Sequence, residues 1–434
     1  MATDPRAIID REPMSRFQWG VVAIMVGLNA LDGFDVLSIS FASPGIVKDW
    51  GIDRAALGVV LSMELIGMAI GSIVLGGVAD KVGRRATILG CLVVMAAGMF
   101  LASTAHDVQT LSMWRVLTGL GIGGMLAATN AAVAEASNAA RRNLCVVLMA
   151  GGYPVGAIIG GSISAQLLKS YNWPVVFEFG AIATLCFIPL VLWRAPESIA
   201  FQMERRGPRA LAAINRTLAR MGHGAIDDLP EATGKAARVP LARLFSPALV
   251  RVTVLLTLAY LAHIMTFYFI LKWIPKIVVD MGFAPSAAAG VLVWANVGGA
   301  SGSLLLGLLT AKVRLRTLTM LAMAVSAVMI GIFGRGQANL GELAIVAAAA
   351  GFFTNAGVVG LYGLLASSFP TDVRATATGF AIGVGRGGSA LAPALAGFLF
   401  AAGYGLQTVA ILMALGSVVA LLALWGLGNK AAAG

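Results

Sequence analysis

The sequence predicts an all-α polytopic membrane protein, and three features predict it. Apolar runs of roughly 18 residues or more, each long enough to cross a bilayer as a helix, follow one another from end to end. Only 12% of the 434 residues are charged and 59% are hydrophobic, with a mean hydropathy of +0.87, whereas a soluble chain carries about 25% charge. The basic residues are also sorted by side. With both termini in the cytoplasm, all but eight of the 31 Lys and Arg fall in cytoplasmic segments. Of the eight, Lys48, Arg54, Lys169, Lys276 and Arg335 fall on the opposite side, and Arg115, Lys272 and Arg386 fall inside spans. The net charge of +11 is therefore the positive-inside bias of a multi-pass membrane protein, not a face for nucleic acid.

Twelve spans are expected, at 17–43, 54–79, 86–105, 109–136, 143–168 and 173–194, then at 248–275, 285–311, 317–334, 341–368, 375–400 and 405–427. Between the sixth and seventh runs the only long polar segment, Ala195 to Pro247. It holds the amphipathic piece PRALAAINRTLARMG and a charged stretch through Asp227, Asp228 and Lys235, and its basic content places it at the cytoplasmic surface. The N-terminus carries Asp4, Asp10 and Glu12 before its first apolar run and no small-residue cleavage site, so no removed signal peptide is expected. Cys91, Cys145 and Cys186 sit in three different spans, without metal or disulfide spacing, and read as small buried hydrophobes.

The chain repeats itself weakly. A shift of 231 residues lays GGVADKVGRR (Gly76 to Arg85) over GLLTAKVRLR (Gly307 to Arg316), and a shift of 232 lays Arg142 and Gly151 over Arg374 and Gly383. The organisation this implies is a six-helix half over residues 1–194, a cytoplasmic linker over 195–247 and a second, pseudo-symmetric half over 248–434. Such halves, related by an axis along the membrane normal, place a transport site between them near the midplane. The same shift sets His263 of the seventh span opposite Asp32 of the first.

Asp32 and Asp35 are the residues most out of keeping with their surroundings. An Asp at the centre of a membrane helix costs roughly 2.5–3.5 kcal/mol, which a sequence tolerates where the charge faces a water-filled path and acts there. Three residues apart, the two carboxylates share a helix face with Cβ atoms about 5–6 Å apart, so they should titrate as a unit. That is the description of a proton-binding site. Arg386, in GVGRGG near the middle of the eleventh span, offers a permanently charged fork that matches a carboxylate, and glycines 383, 385, 387 and 388 leave room around it. The alternative for Arg386 is an internal ion pair with Glu178 or Asp35; for the aspartates it is capping of backbone freed by Gly33 or a fixed pairing with Arg386 or Lys272.

The loop GGVADKVGRR resembles the loop between helices two and three of the major facilitator superfamily: Asp80, Gly83, Arg84 and Arg85 match, Val78 stands where Leu is usual, and Ala86 replaces a common third basic residue. Within that superfamily, DGFD, RVLTGLGIGG and SFPTDVRATATGFAIGVGRGG resemble the aromatic acid:proton symporters. The resemblance implies a bacterial inner-membrane protein that takes up benzoate-like carboxylates with protons by alternating access. It also implies a proton-transfer role for Arg115, which the residues alone leave open between a structural ion pair and a place on a water path. Asp80, Arg84, Arg85 and Glu135 are expected to gate the cytoplasmic side through charge pairs that break when the halves rock, or else to be solvated at the interface.

Several further residues are candidates for the substrate. His263 is deep enough to donate to a phenol or carboxylate, or else is a satisfied structural histidine. Lys272 lines the site or snorkels outward past Pro275. Asn296 and Asn355 are buried amides that serve as ligands or as interhelical ties. Tyr268, with Phe267, Phe269 and Trp273, supplies walls suited to a ring or plain packing. Glu64 and Glu178 have no role that spacing assigns.

The expectation is thus a monomeric, proton-coupled importer of an aromatic carboxylate, embedded in lipid, with the proton as its coupling ion and no metal or cofactor. A symporter of another organic acid and an efflux antiporter are alternatives of the same fold. In GGYPVGAIIGG the position of Pro154 after Tyr153 breaks the Gly-Pro signature of efflux members. A non-transporting sensor would lack a signalling domain and any use for paired intramembrane carboxylates. No nucleophile–base set argues for an enzyme. GLGIGG and GVGRGG lie in apolar helices rather than after strands, and no Walker loop occurs, so nucleotide binding is not expected.

Overall fold

A computed structural model describes residues 4–206, 209–229, 240–370 and 372–427, apart from the side chain of Asp80. Asp80 and Lys235 therefore fall outside what can be described. The helices are α1 (Pro5–Arg11), α2 (Arg16–Trp50), α3 (Arg54–Val82), α4 (Arg84–Ser103), α5 (Val108–Ala136), α6 (Arg142–Leu167), α7 (Pro174–Arg194), α8 (Ile199–Arg205), α9 (Ala210–Met221), α10 (Val250–Asp280), α11 (Pro285–Leu309), α12 (Leu315–Gly334), α13 (Leu340–Ser367), α14 (Arg374–Ala401) and α15 (Leu406–Gly426). A 3-10 turn at Leu241–Phe245 precedes α10. Twelve of them, α2–α7 and α10–α15, are long and apolar enough to cross a membrane.

Local chemistry sets the helix ends. Ser15 and Gln18 form a capping box at the start of α2, the carboxylates of Asp53 and Asp107 cap α3 and α5, and Asn339 caps α13. Gly51, at φ 61°, closes α2 in the left-handed region. The first span runs to Trp50, well past the expected end before Pro44. Proline removes the N–H that would bond to the carbonyl of Ser40, and the Ser43 hydroxyl donates to that carbonyl instead at 2.9 Å, so the helix continues. The seventh span likewise passes through Pro275 to Asp280.

The packing of α2–α7 is repeated by α10–α15: α3 lies on α5 as α11 lies on α13, α2 on α6 as α10 on α14, and α4 on α7 as α12 on α15. The two sets meet along α3–α14, α6–α11 and α2–α10. Small residues permit these approaches, since Gly58 of α3 seats the backbone of Pro393 and Gly397 of α14. Within the first set, Gly33 lies against the Tyr153 carbonyl and Gly156 against that of Ala30.

The bundle has two unlike ends. One carries α1, the 3-10 turn and the amphipathic α9, whose Ile214, Leu218 and Met221 pack into the core beside Val21 and Met25; this is the linker end. At the opposite, far end a single apolar core runs through both sets, from Phe34–Ile46 and Leu57–Leu61 to Phe269–Val278 and Ala392–Phe400. There Ser62 accepts from the Ala394 amide at 3.1 Å and Arg54 pairs with Asp280 at 2.9 Å. Towards the linker end the sets have separate cores. Gly383 of α14 lies seven and fourteen residues before Ala390 and Gly397, hence on the face that meets α3 further up, yet Gly379, Gly383 and Gly387 border open space. The seam between the sets is closed at the far end and open at the linker end.

Gly33→Ala or Gly156→Ala drives a methyl into a backbone carbonyl and should cost about 1–3 kcal/mol, read as a lower Tm in detergent, whereas Gly151→Ala, which meets nothing, should leave Tm unchanged.

Candidate functional site

Five ionisable side chains are buried together towards the far end: Asp32 and Asp35 from α2, Glu64 from α3, Arg115 from α5 and Lys272 from α10. Glu64 is the hub. Its carboxylate pairs with the Arg115 guanidinium and, at 3.3 Å, with the Lys272 ammonium. Arg115 also donates to the backbone carbonyl of Asp35 at 2.9 Å and lies over the Phe177 ring at 5.2 Å, while Lys272 donates to the carbonyl of Val36. Both cations thus hold the stretch of α2 that contains the aspartates.

The carboxylates of Asp32 and Asp35 themselves accept no hydrogen bond, and both are sealed from solvent in this conformation instead of lining an open water path. An ionised carboxylate buried without a donor is expensive. These two are therefore places where a proton changes the energy of the fold, adjacent to an ion-paired trio.

Arg386 lies apart from that cluster, at the middle of α14 and half-buried. Its Nη1 donates to the Met68 carbonyl of α3 at 3.0 Å, which uses one of five N–H donors. Among the described residues no carboxylate pairs with it: Glu178 is exposed on α7 and Asp35 is enclosed within the first helix set. Tyrosines surround it. Tyr260 and Tyr362 meet hydroxyl to hydroxyl at 3.0 Å, with Tyr260 filling the space beside Gly385, and Tyr268 lies within electrostatic range of Arg386. The Tyr153 hydroxyl, from α6, is buried beside that of Tyr268. Aromatic walls and a cation with free donors suit a flat anion.

The other expected residues are placed elsewhere. His263 is fully buried between α10, α13 and α15, with Nε2 2.8 Å from the Thr354 carbonyl and Nδ1 2.9 Å from the Ser417 hydroxyl. A carbonyl only accepts, so Nε2 carries the proton and Nδ1 accepts from Ser417; both ring nitrogens are committed. Asn296 donates to Leu292 of its own helix at 2.9 Å, and Asn355 ties α13 to α11 through the Gly299 carbonyl at 2.9 Å. At the linker end Arg84 pairs with Glu135 at 3.3 Å and Arg85 donates to the Leu192 carbonyl at 2.6 Å, contacts made inside the first helix set. Glu197, after α7, caps α4 by accepting from the amides of Arg84 and Arg85 at 2.7 and 3.2 Å.

Three residues that the sequence left unassigned are therefore central here: Glu64, Tyr153 and Glu197. Glu64 alone gave a signal, as an acid inside an apolar span. Nothing in the spacing joined it to Arg115 and Lys272, which lie 51 and 208 residues away.

Two packed sets of six helices, open to one side, with charge enclosed between them, define a secondary transporter. The chain belongs to the Major Facilitator Superfamily, whose family model matches residues 25–335. It is 28% identical over 428 residues to the gallate transporter of Pseudomonas putida, covering 98% of this chain and 95% of that protein. It is 30% identical over 401 residues to the 3-(3-hydroxy-phenyl)propionate transporter of Escherichia coli K12, covering 92% and 91%. The crystal structure of a D-xylose-proton symporter superposes with a TM-score of 0.70 at 16% identity, covering 92% of this chain and 97% of that one, a likeness of fold.

His263→Ala should lower Tm, because it removes two buried hydrogen bonds between α10, α13 and α15 and leaves a cavity there, and should leave substrate affinity within about twofold. A large loss of affinity at unchanged Tm would instead place His263 at the substrate.

Proposed function

We propose that the protein imports an aromatic carboxylate together with protons across the bacterial inner membrane, working as a single chain. The observation that carries the reading is Arg386, a guanidinium in the middle of a spanning helix with no carboxylate on it among the described residues, and with Tyr260, which meets Tyr362, and Tyr268 within electrostatic range. Its charge has to be answered by something that comes and goes. A substrate carboxylate does so bidentately, and the ring packs among the phenols. The relatives named above carry aromatic acids, which supports that class of cargo.

The positive-inside bias puts the linker end and both termini in the cytoplasm. The conformation is then inward-facing, with the extracellular end sealed by the shared apolar core. Anion and proton enter when the seam opens on the outside. A proton on the Asp32–Asp35 pair cancels part of the negative charge that the incoming anion adds, which favours closure around both. Rocking about the seam along α3–α14 and α6–α11 then delivers them inward.

Uptake into proteoliposomes is the test. Benzoate or a hydroxybenzoate should accumulate, faster under an inward proton gradient, and should outcompete non-aromatic dicarboxylates; indifference to the gradient contradicts the coupling, and preference for a dicarboxylate contradicts the cargo. Arg386→Ala should cost about 2–5 kcal/mol of substrate affinity, tens- to thousands-fold, with the protein still folded. Near-normal affinity in that variant removes Arg386 from the site.

A further inference from the structure

Glu64 is the point at which charge crosses between the helix sets inside the bundle. Its partner Arg115 belongs to the same set, whereas its partner Lys272 comes from α10 of the other. Lys272 is fully buried and reaches both α3, at Glu64, and α2, at the Val36 carbonyl. For the far end to open, α10 must draw away from α2 and α3, and Lys272 must leave both.

We infer that the Glu64–Lys272 pair is the latch that holds the far end shut, and that a proton arriving on Glu64 releases it. This makes Glu64 a further residue through which proton binding drives transport, and it rests on the symport reading. The chemistry balances within the cluster. While Glu64 is ionised, moving Lys272 away would leave it as a buried carboxylate with Arg115 alone and would strip the ammonium of its counterion. Once Glu64 is neutral, Arg115 keeps the Asp35 carbonyl, and Lys272 is held across the seam by its hydrogen bond to the Val36 carbonyl alone.

The groups that face Glu64 supply the path and the competition. Asp32 and Asp35 come from α2, without hydrogen-bond partners and close enough to Glu64 to interact electrostatically. Arg115 faces it from α5, and Lys272 and Tyr268 from α10. Tyr153 approaches from α6, and Cys91 of α4 lies within electrostatic range of Asp32. Arg386 of α14 meets α3 one turn along, at Met68. A proton passed from Asp35 to Glu64 leaves Asp35 ionised within the field of Arg115, so the cluster keeps its net charge while the carboxyl facing Lys272 becomes neutral. Outside this cluster the seam's ion pair at the far end, Arg54–Asp280, lies in partly exposed positions where solvent screens it.

The experiment is a distance measurement across the far end. Nitroxides at His106 and Ala338, both exposed on far-end loops, are placed in protein whose Cys91, Cys145 and Cys186 are changed to Ala, reconstituted in nanodiscs without substrate. The wild-type background should show a mainly short distance, with the long one growing as pH falls. Glu64→Gln and Lys272→Met should each raise the long-distance population about tenfold or more and flatten its pH response. Lys272→Met leaves Glu64 on Arg115 and so tests the latch even where Glu64→Gln fails to fold. Wild-type distances in Lys272→Met, or an opening that still follows pH in that variant, overturn the inference. The reading needs no cargo, so a wrong substrate assignment would show in uptake alone and leave these distances as stated.

Discussion

Charge enclosed in an apolar bundle must be answered by charge, and the arrangement of this protein's interior follows from that constraint. Losing one member of a buried pair costs about 3–5 kcal/mol, because its partner is stranded in a medium that cannot solvate it. Arg115 and Lys272 approach from helices on either side of the seam and share one acid, Glu64. With their remaining donors they hold backbone carbonyls of α2 at Asp35 and Val36. The middle of α2 is thereby fixed by cations, while its own two carboxylates are left without donors. A membrane protein selected for stability alone has little use for such an imbalance; one that loads and unloads protons does.

The apolar packing gives that imbalance a mechanical outlet. One continuous core closes the seam at the far end, and glycines of α3 and α14 bring backbones together there with few side chains to disengage. Towards the linker end the cores are separate and α14 borders open space. Arg386 sits near this transition, touching α3 through a carbonyl and facing the tyrosines. On the proposed reading, a ligand on Arg386 and a proton in the cluster act at different depths of the same seam, so that two small binding events bias one large movement.

Much of this was legible in the chain. Length, hydropathy and the sorting of Lys and Arg give twelve spans, because those signals are local or additive. The first span runs beyond the expected 17–43, since the Ser43 hydroxyl replaces the backbone donor that Pro44 lacks and α2 continues to Trp50. Asp32, Asp35, Arg115 and Arg386 stand out as charges in apolar runs whatever their partners. Partners are another matter. Lys272 reads as a substrate ligand or a snorkelling residue and lies fully buried on Glu64, while His263 reads as a donor to substrate or a satisfied structural histidine and lies between Ser417 and Thr354. Which helices adjoin, and which face each presents, depends on small residues such as Gly33 and Gly156 that let particular backbones approach, and single-sequence spacing does not report that.

The central claim is that acids buried around α2 and α3 carry a proton that travels with the anion. Its most direct measurement is the internal pH of proteoliposomes holding a pH-sensitive dye, with no imposed gradient, on adding an aromatic acid outside. The account predicts that the lumen acidifies as the acid enters through the protein, and that Asp32→Asn/Asp35→Asn abolishes the acidification while protein-mediated exchange of labelled for unlabelled substrate persists. Entry of the acid through the wild-type protein at constant internal pH would contradict it.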